Sequence, residues 1–353
     1  MRAIAQHRAW QWPRTKMSCS TCIFHQARRL RIVDVSSAKV DLDSDVSVPS
    51  EPSEPQGSVF ASALLVAGTT VGAGILAVPA ISQPAGFIAS SAGLVGCCAL
   101  MIATGLLMAE VAINRITDLQ GQGRGSEAAS LSVMSMAQST LGAGGARAVS
   151  ALYLFQHYCL LVAYISRAGE LVGGALGTSS GAGSVGFALG VGTACALLPV
   201  AVLDAANSAM VVGVVATFAG LVVLVAPMVQ ASALLAPPVW SELPHALPVM
   251  ALAFVYQNVV PVVVKDLGAD VRRVRAAIVL GSLLPLAMFL VWEAVVLGAM
   301  GGASAGVDPL ASLAAQPGAA GSLVEGFSFL AIVTSYIGFC LGLSDFLGDA
   351  LGG

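Results

Sequence analysis

A chain of 353 residues that is 57% hydrophobic and only 10% charged, with a mean hydropathy of +0.86, has too few charges to cover a water-soluble globule; a typical soluble domain carries about 25% charged residues. The net charge of -3 hides an uneven distribution and defines no partner. Composition excludes a soluble enzyme and predicts an all-α integral membrane protein with membrane lipids as neighbours and no nucleic-acid partner.

The chain opens on a basic segment. Eight of the 16 Lys and Arg fall within the first 39 residues, against the single acid Asp34. No long apolar core appears there, so a secretory signal peptide is excluded, and an Arg-rich, acid-poor leader predicts an organellar transit peptide over residues 1–40. Cys19 and Cys22 form a CxxC, the usual prompt for zinc or redox chemistry. No second pair at suitable spacing accompanies them, and both sit in the expected leader, so no metal or other cofactor is expected. Residues 41–57, "DLDSDVSVPSEPSEPQG", are acidic and rich in Pro and Ser, the composition of a disordered linker.

From residue 58 onward the sequence is membrane domain. About 20 apolar residues cross the hydrocarbon core. Eight spans are predicted, at about 59–82, 86–112, 148–176, 184–203, 208–231, 246–264, 275–299 and 322–346. The loop after the second holds Arg115, Arg124 and Arg147; the loop after the sixth holds Lys265, Arg272, Arg273 and Arg275. The loops on the other side carry only Glu242 and Asp308. The positive-inside rule therefore places the N-terminus and both basic loops on the cytosolic or stromal side.

The first span contains "GTTVGAGILAVP", Gly68 to Pro79. A phosphate-binding loop of this kind requires a Gly-Lys-Ser/Thr ending, whereas Gly74 is followed by Ile75 and Leu76. Two readings remain: a discontinuous helix whose freed backbone groups bind a polar solute, or small residues that allow close helix packing. The sixth span has a similar interruption, "FVYQNVVPVVVKDLG", with Gln257 and Asn258 at mid-membrane and Pro261 removing an N–H. Paired broken spans at corresponding places in two halves point to a transporter's substrate site. Spans one and six are five apart, the offset of a five-plus-five inverted repeat.

These segments, with "TSYIGFCLGLSDFLGD" (Thr334 to Asp349) and "YCLLVAYISRAGELVG" (Tyr158 to Gly173), resemble the aromatic amino acid permeases, the tryptophan/tyrosine permeases of the amino acid–polyamine–organocation superfamily. The sixth-span motif is most similar to the plant and algal tyrosine-specific transport protein-like branch. The resemblance implies a LeuT-type fold, with repeat one at 58–231 and a partial repeat two at 246–353. The family normally has eleven spans, so the resemblance also implies a C-terminally incomplete second repeat. It implies secondary active transport of an aromatic or neutral amino acid such as tyrosine or tryptophan, with a proton, or alternatively sodium, as coupling ion. It further implies substrate contacts at Thr69, Thr70, Gly72, Ala73, Gly74, Phe254, Gln257 and Asn258. Thr334 and Ser335 correspond to hydroxyls that hold sodium in sodium-coupled relatives. The plant and algal likeness, together with the leader, predicts the chloroplast inner envelope. The competing expectation is a truncated, non-transporting scaffold or regulator of a full-length paralogue.

Ionisable groups inside a membrane are costly and are functional candidates by default. Glu293, well inside span seven, is therefore a candidate for ion coupling. Glu110 is expected to pair with Arg115, and Arg167 with Glu170, three residues apart on one helical face. His157 reads as a packing residue and His245 as a loop residue. No cluster of His, Cys, Asp and Glu has metal-ligand spacing, so an enzyme is not expected. If the leader reading holds, residues 1–57 fused to a fluorescent protein will deliver it to plastids; a diffuse cytosolic signal contradicts it.

Overall fold

The computed structural model describes residues 57–125, 128, 131–299, 312–313 and 319–352. The expected leader, the linker up to residue 56 and Asp308 lie outside the described residues, as do the side chains of Asp345 and Asp349. All regular structure among the described residues is helical. In chain order the α-helices are α1 (Val59–Thr70), α2 (Gly74–Ser82), α3 (Gly86–Gly121), α4 (Val133–Leu176), α5 (Ser180–Leu197), α6 (Val200–Val225), a short α7 (Ala231–Leu234), α8 (Leu243–Ala253), α9 (Val260–Asp266), α10 (Val271–Ala299) and α11 (Ala319–Gly352).

The expected eight spans appear as seven helical segments long and apolar enough to cross a membrane, plus the shorter apolar α1. The count differs because the first span is divided. Thr70 ends α1 and Gly74 begins α2, which then continues through a one-turn 3-10 helix, Gln83–Ala85, into α3. Gly86, at φ 79°, lies in the left-handed region that a side chain disfavours, and it sets the corner. Sequence also misplaces the ends of the second and third spans. At 1.5 Å per residue, the 36 residues of α3 reach about 54 Å, well beyond a hydrocarbon core of about 30 Å. Arg115 is thus helical rather than in a loop. In α4, Gly142 at φ 69° separates a leading amphipathic turn from the long crossing helix.

Packing divides into two apolar cores. One joins Ile75 of α2, Leu94 of α3, Phe254, Phe289 and Trp292 of α10, and Phe327 of α11. The other joins Leu65 and Val66 of α1, Ile116 of α3, Tyr256, Val263 of α9 and Ile278 of α10. Each broken span contributes one half to each core: α2 and α8 to the first, α1 and α9 to the second. α3 and α10 run through both.

The close approach of α1 to α10 depends on Gly281. A Cβ there would stand 2.6 Å from the Val66 Cβ and 2.7 Å from the Ala63 carbonyl oxygen, with backbone that cannot give way. Gly281→Val is expected to destabilise the protein by about 1–3 kcal/mol through overpacking, read as a lower unfolding midpoint in detergent. An unchanged midpoint contradicts this packing.

Candidate functional site

The first break is built by three residues that do not continue the helix. Val71 is extended, at φ -79° and ψ 96°, and its N–H still reaches the Ala67 carbonyl at 2.8 Å. Ala73 donates its N–H to Ser335 Oγ on α11 at 3.0 Å. Among the described residues no acceptor is matched to the N–H groups of Gly72 or Gly74. These donors stand at the N-terminus of α2, where the partial positive charge of a helix favours an anion.

The second break lies against the first. α8 ends at Ala253, and the chain passes through Phe254, Val255 and Tyr256 to a 3-10 turn, Gln257–Val259, before α9 begins. A Cβ on Gly74 would approach the Ala253 Cβ and Cα at 3.0 and 3.1 Å. No donor is matched to the carbonyls of Ala253, Phe254 or Val255 among the described residues. Unmatched N–H groups of the first break and unmatched carbonyls of the second thus lie on two segments that meet at Gly74 and Ala253.

The two readings of the glycine run are therefore partly reconciled. Gly72 and Gly74 do permit close packing, since a Cβ on Gly72 would collide with Ser335 Oγ and one on Gly74 with Ala253. Any substitution there strikes protein first, so its effect on transport cannot be read as a steric block of substrate.

The remaining candidates separate. Thr69 and Thr70 each bond back to their own helix, to the Leu65 and Val66 carbonyls at 2.8 Å. Phe254 is fully buried and meets Phe289 edge-on, ring centroids 4.9 Å apart. Gln257 turns away from the first span: its Nε2 donates to Thr104 Oγ1 on α3 at 3.1 Å, and its Oε1 accepts from the Tyr256 N–H at 3.0 Å. Asn258 is exposed. Thr334 bonds back to the Leu330 and Ala331 carbonyls at 3.0 and 3.1 Å, while Ser335 faces the first break. Glu293 lies elsewhere, at the far end of α2, against Ser82. Eight residues of helix put it about 12 Å beyond the break.

Among the other polar residues, Arg167 and Glu170 form the expected pair at 2.5 Å. Glu110 and Arg115 do not pair; a separation of five puts them on different faces of α3, where only partners three or four apart meet. His157 is buried, stacked on Tyr153 at 3.9 Å and beside Phe339. His245 is exposed in the first turn of α8 rather than in a loop. Cys97, Cys98, Cys159, Cys195 and Cys340 are free thiols.

Two residues that sequence reasoning passed over complete the junction. Tyr164 on α4 lies beside Ser335, bringing span three to the first break. Tyr256, fully buried, donates its hydroxyl to the Met101 carbonyl at 2.8 Å and lies where any Cβ on Gly105 would be. Both stood inside quoted motifs, but an isolated Tyr in an apolar run carries no spacing signal.

Paired interruptions at corresponding places of two halves are a recurring feature of transporters. The tryptophan/tyrosine permease profile matches residues 56–352, most of the chain. The chain belongs to the tryptophan/tyrosine permease family. It is similar to the tyrosine-specific transport system 2 of Haemophilus influenzae, at 29% identity over 83% of this chain and 74% of that protein. It is similar to the tryptophan-specific transport protein of Pseudomonas aeruginosa at 28%, over 86% and 75%. The tyrosine-specific transport system 1 of H. influenzae gives 28%, over 82% and 73%. No solved structure matches. The chain is a multi-pass membrane transport protein and not an enzyme.

Ser335 and Thr334 make a contrasting pair. Ser335→Ala leaves the Ala73 N–H without its acceptor, a loss of about 1–3 kcal/mol for a buried donor. Thr334→Val removes only a bond to its own helix and is expected to be close to neutral. Unfolding midpoints of the two variants check this; equal midpoints contradict a special role for Ser335.

Proposed function

We propose that the protein is a secondary active transporter of aromatic amino acids, tyrosine or tryptophan, driven by a proton gradient. The observation that carries this reading is the junction of the two breaks. An amino acid zwitterion needs donors for its carboxylate and acceptors for its ammonium. The unmatched N–H groups of Gly72 and Gly74 supply the first, and the unmatched carbonyls of Ala253, Phe254 and Val255 supply the second. Backbone groups of both kinds at membrane depth are tolerated only where they serve a cavity or protein interior. The relatives' names favour an aromatic side chain, and Phe254 and Phe289 provide apolar rings beside the junction. A proton is preferred to sodium because Ser335 is engaged by the Ala73 N–H, and neutral hydroxyls and carbonyls with no carboxylate among them make only a weak site for a hard cation.

We also place the protein in the chloroplast inner envelope. The support is the basic leader, which precedes the start of the family match at residue 56; the leader fusion decides it.

The test is uptake of radiolabelled tyrosine, tryptophan and phenylalanine into proteoliposomes, with and without an inward proton gradient. Gradient-dependent accumulation of tyrosine or tryptophan is expected, with sodium substitution making no difference. Absence of uptake of all three overturns the reading, and sodium dependence replaces the proton as coupling ion.

A further inference from the structure

One buried ionisable group has no part in the junction of breaks. Glu293 on α10 is fully buried. Its Oε1 accepts from Ser82 Oγ, and Ser90 also interacts with the carboxyl. Its Oε2 is buried and, among the described residues, has no hydrogen-bond partner. Ser82 is the last residue of α2, and Ser90, in the first turns of α3, donates its hydroxyl to the Ser82 carbonyl at 3.1 Å. The carboxyl is thus wedged between the end of the broken first span, the start of the second and span seven.

No charge faces it. α1, α2 and α7 contain no ionisable side chain. The thiols of Cys97 and Cys98 on α3 point to the Leu247 and Ser282 carbonyls. The charged residues of α3 (Glu110, Arg115 and Asp118) start 20 residues beyond Ser90, about 30 Å along the helix. Arg272, Arg273 and Arg275 of α10 are 18 or more residues away, about 27 Å. On α8 the titratable side chain is His245, which is exposed in the first turn; on α11, Glu325 is exposed and lines a 450 Å³ cavity facing α4. The Trp292, Phe218 and Phe327 rings pack beside this site. A carboxylate without a counter-ion at membrane depth is costly, whereas a carboxylic acid protonated on Oε1 donates to Ser82 Oγ, whose own hydroxyl proton then goes to the Val78 carbonyl at 2.8 Å.

We propose that the coupling proton of transport is carried on Glu293, with Ser82 as the positioning residue that transmits its occupancy along α2 to the Gly72–Gly74 break. The proton is taken up from the outer side as an O–H bond on Oε1, donated to Ser82 Oγ, and that O–H bond breaks to release it to the inner side as the substrate leaves. This rests on the transport reading above and adds where the proton sits.

The experiment compares the wild-type chain with Glu293→Gln and Ser82→Ala in proteoliposomes, measuring both tyrosine accumulation under an inward acid gradient and tyrosine exchange across vesicles with equal pH. Glu293→Gln is expected to lose accumulation yet retain exchange, and Ser82→Ala to accumulate with a shifted pH profile. Infrared difference spectra on acidification of the detergent-solubilised protein should show a carboxylic-acid carbonyl band that Glu293→Gln lacks. Accumulation by Glu293→Gln equal to wild type, loss of exchange along with accumulation, or an unchanged infrared band each overturns the proposal. A wild-type chain that neither exchanges nor accumulates overturns the transport reading instead.

Discussion

The bilayer offers no water to an unpaired backbone group, and everything notable in this structure follows from two places where the helix ladder is interrupted. Each unpaired N–H or C=O in hydrocarbon costs several kcal/mol, so a break survives only if protein supplies partners or the groups have a ligand to serve. At the first break, Ser335 on α11 holds the Ala73 N–H, and Tyr164 on α4 lies beside Ser335. Spans one, three and eight thereby meet at a common point. Glycine at 72 and 74 lets the partners come close: a Cβ at 72 would displace the Ser335 hydroxyl, and one at 74 would press on Ala253 at 3.0 Å.

The second break is held differently. Gln257 bonds its own neighbour's N–H and reaches Thr104 on α3, while Tyr256 hangs from the Met101 carbonyl. Side chains thus brace the sixth span against the second.

Much of this was legible in the sequence because membrane helices obey one dominant rule. Charge-free runs marked the spans, and Gly-rich or Gln-Asn-Pro interruptions marked both breaks within a few residues of where they occur. What sequence could not give was direction. Gln257 was placed at a substrate site by its motif, yet its amide points to α3; Thr69, Thr70 and Thr334 fold back on their own helices, as hydroxyls in apolar surroundings do. Ser82 and Ser90 gave no signal because a serine beside a helix corner is ordinary, and only the fold brings Glu293 to them. The ends of α3 and α4 were misjudged for the opposite reason: a helix that leaves the membrane becomes polar without ceasing to be helical.

The division of the interior into two cores has a mechanical meaning. The pieces of each broken span are bolted to different cores, so the breaks are joints rather than mere recesses. α10 also crosses between cores, but it carries Pro285 between its two buried stretches, where the missing N–H softens the rod. α3 has no proline and runs unbroken through both cores. Any rocking of one core against the other turns on the level of Met101 to Gly105, the stretch of α3 that Tyr256 and Gln257 grip. A ligand seated at the junction of the breaks would lie across that axis, where a small rotation of either core alters its contacts on both sides.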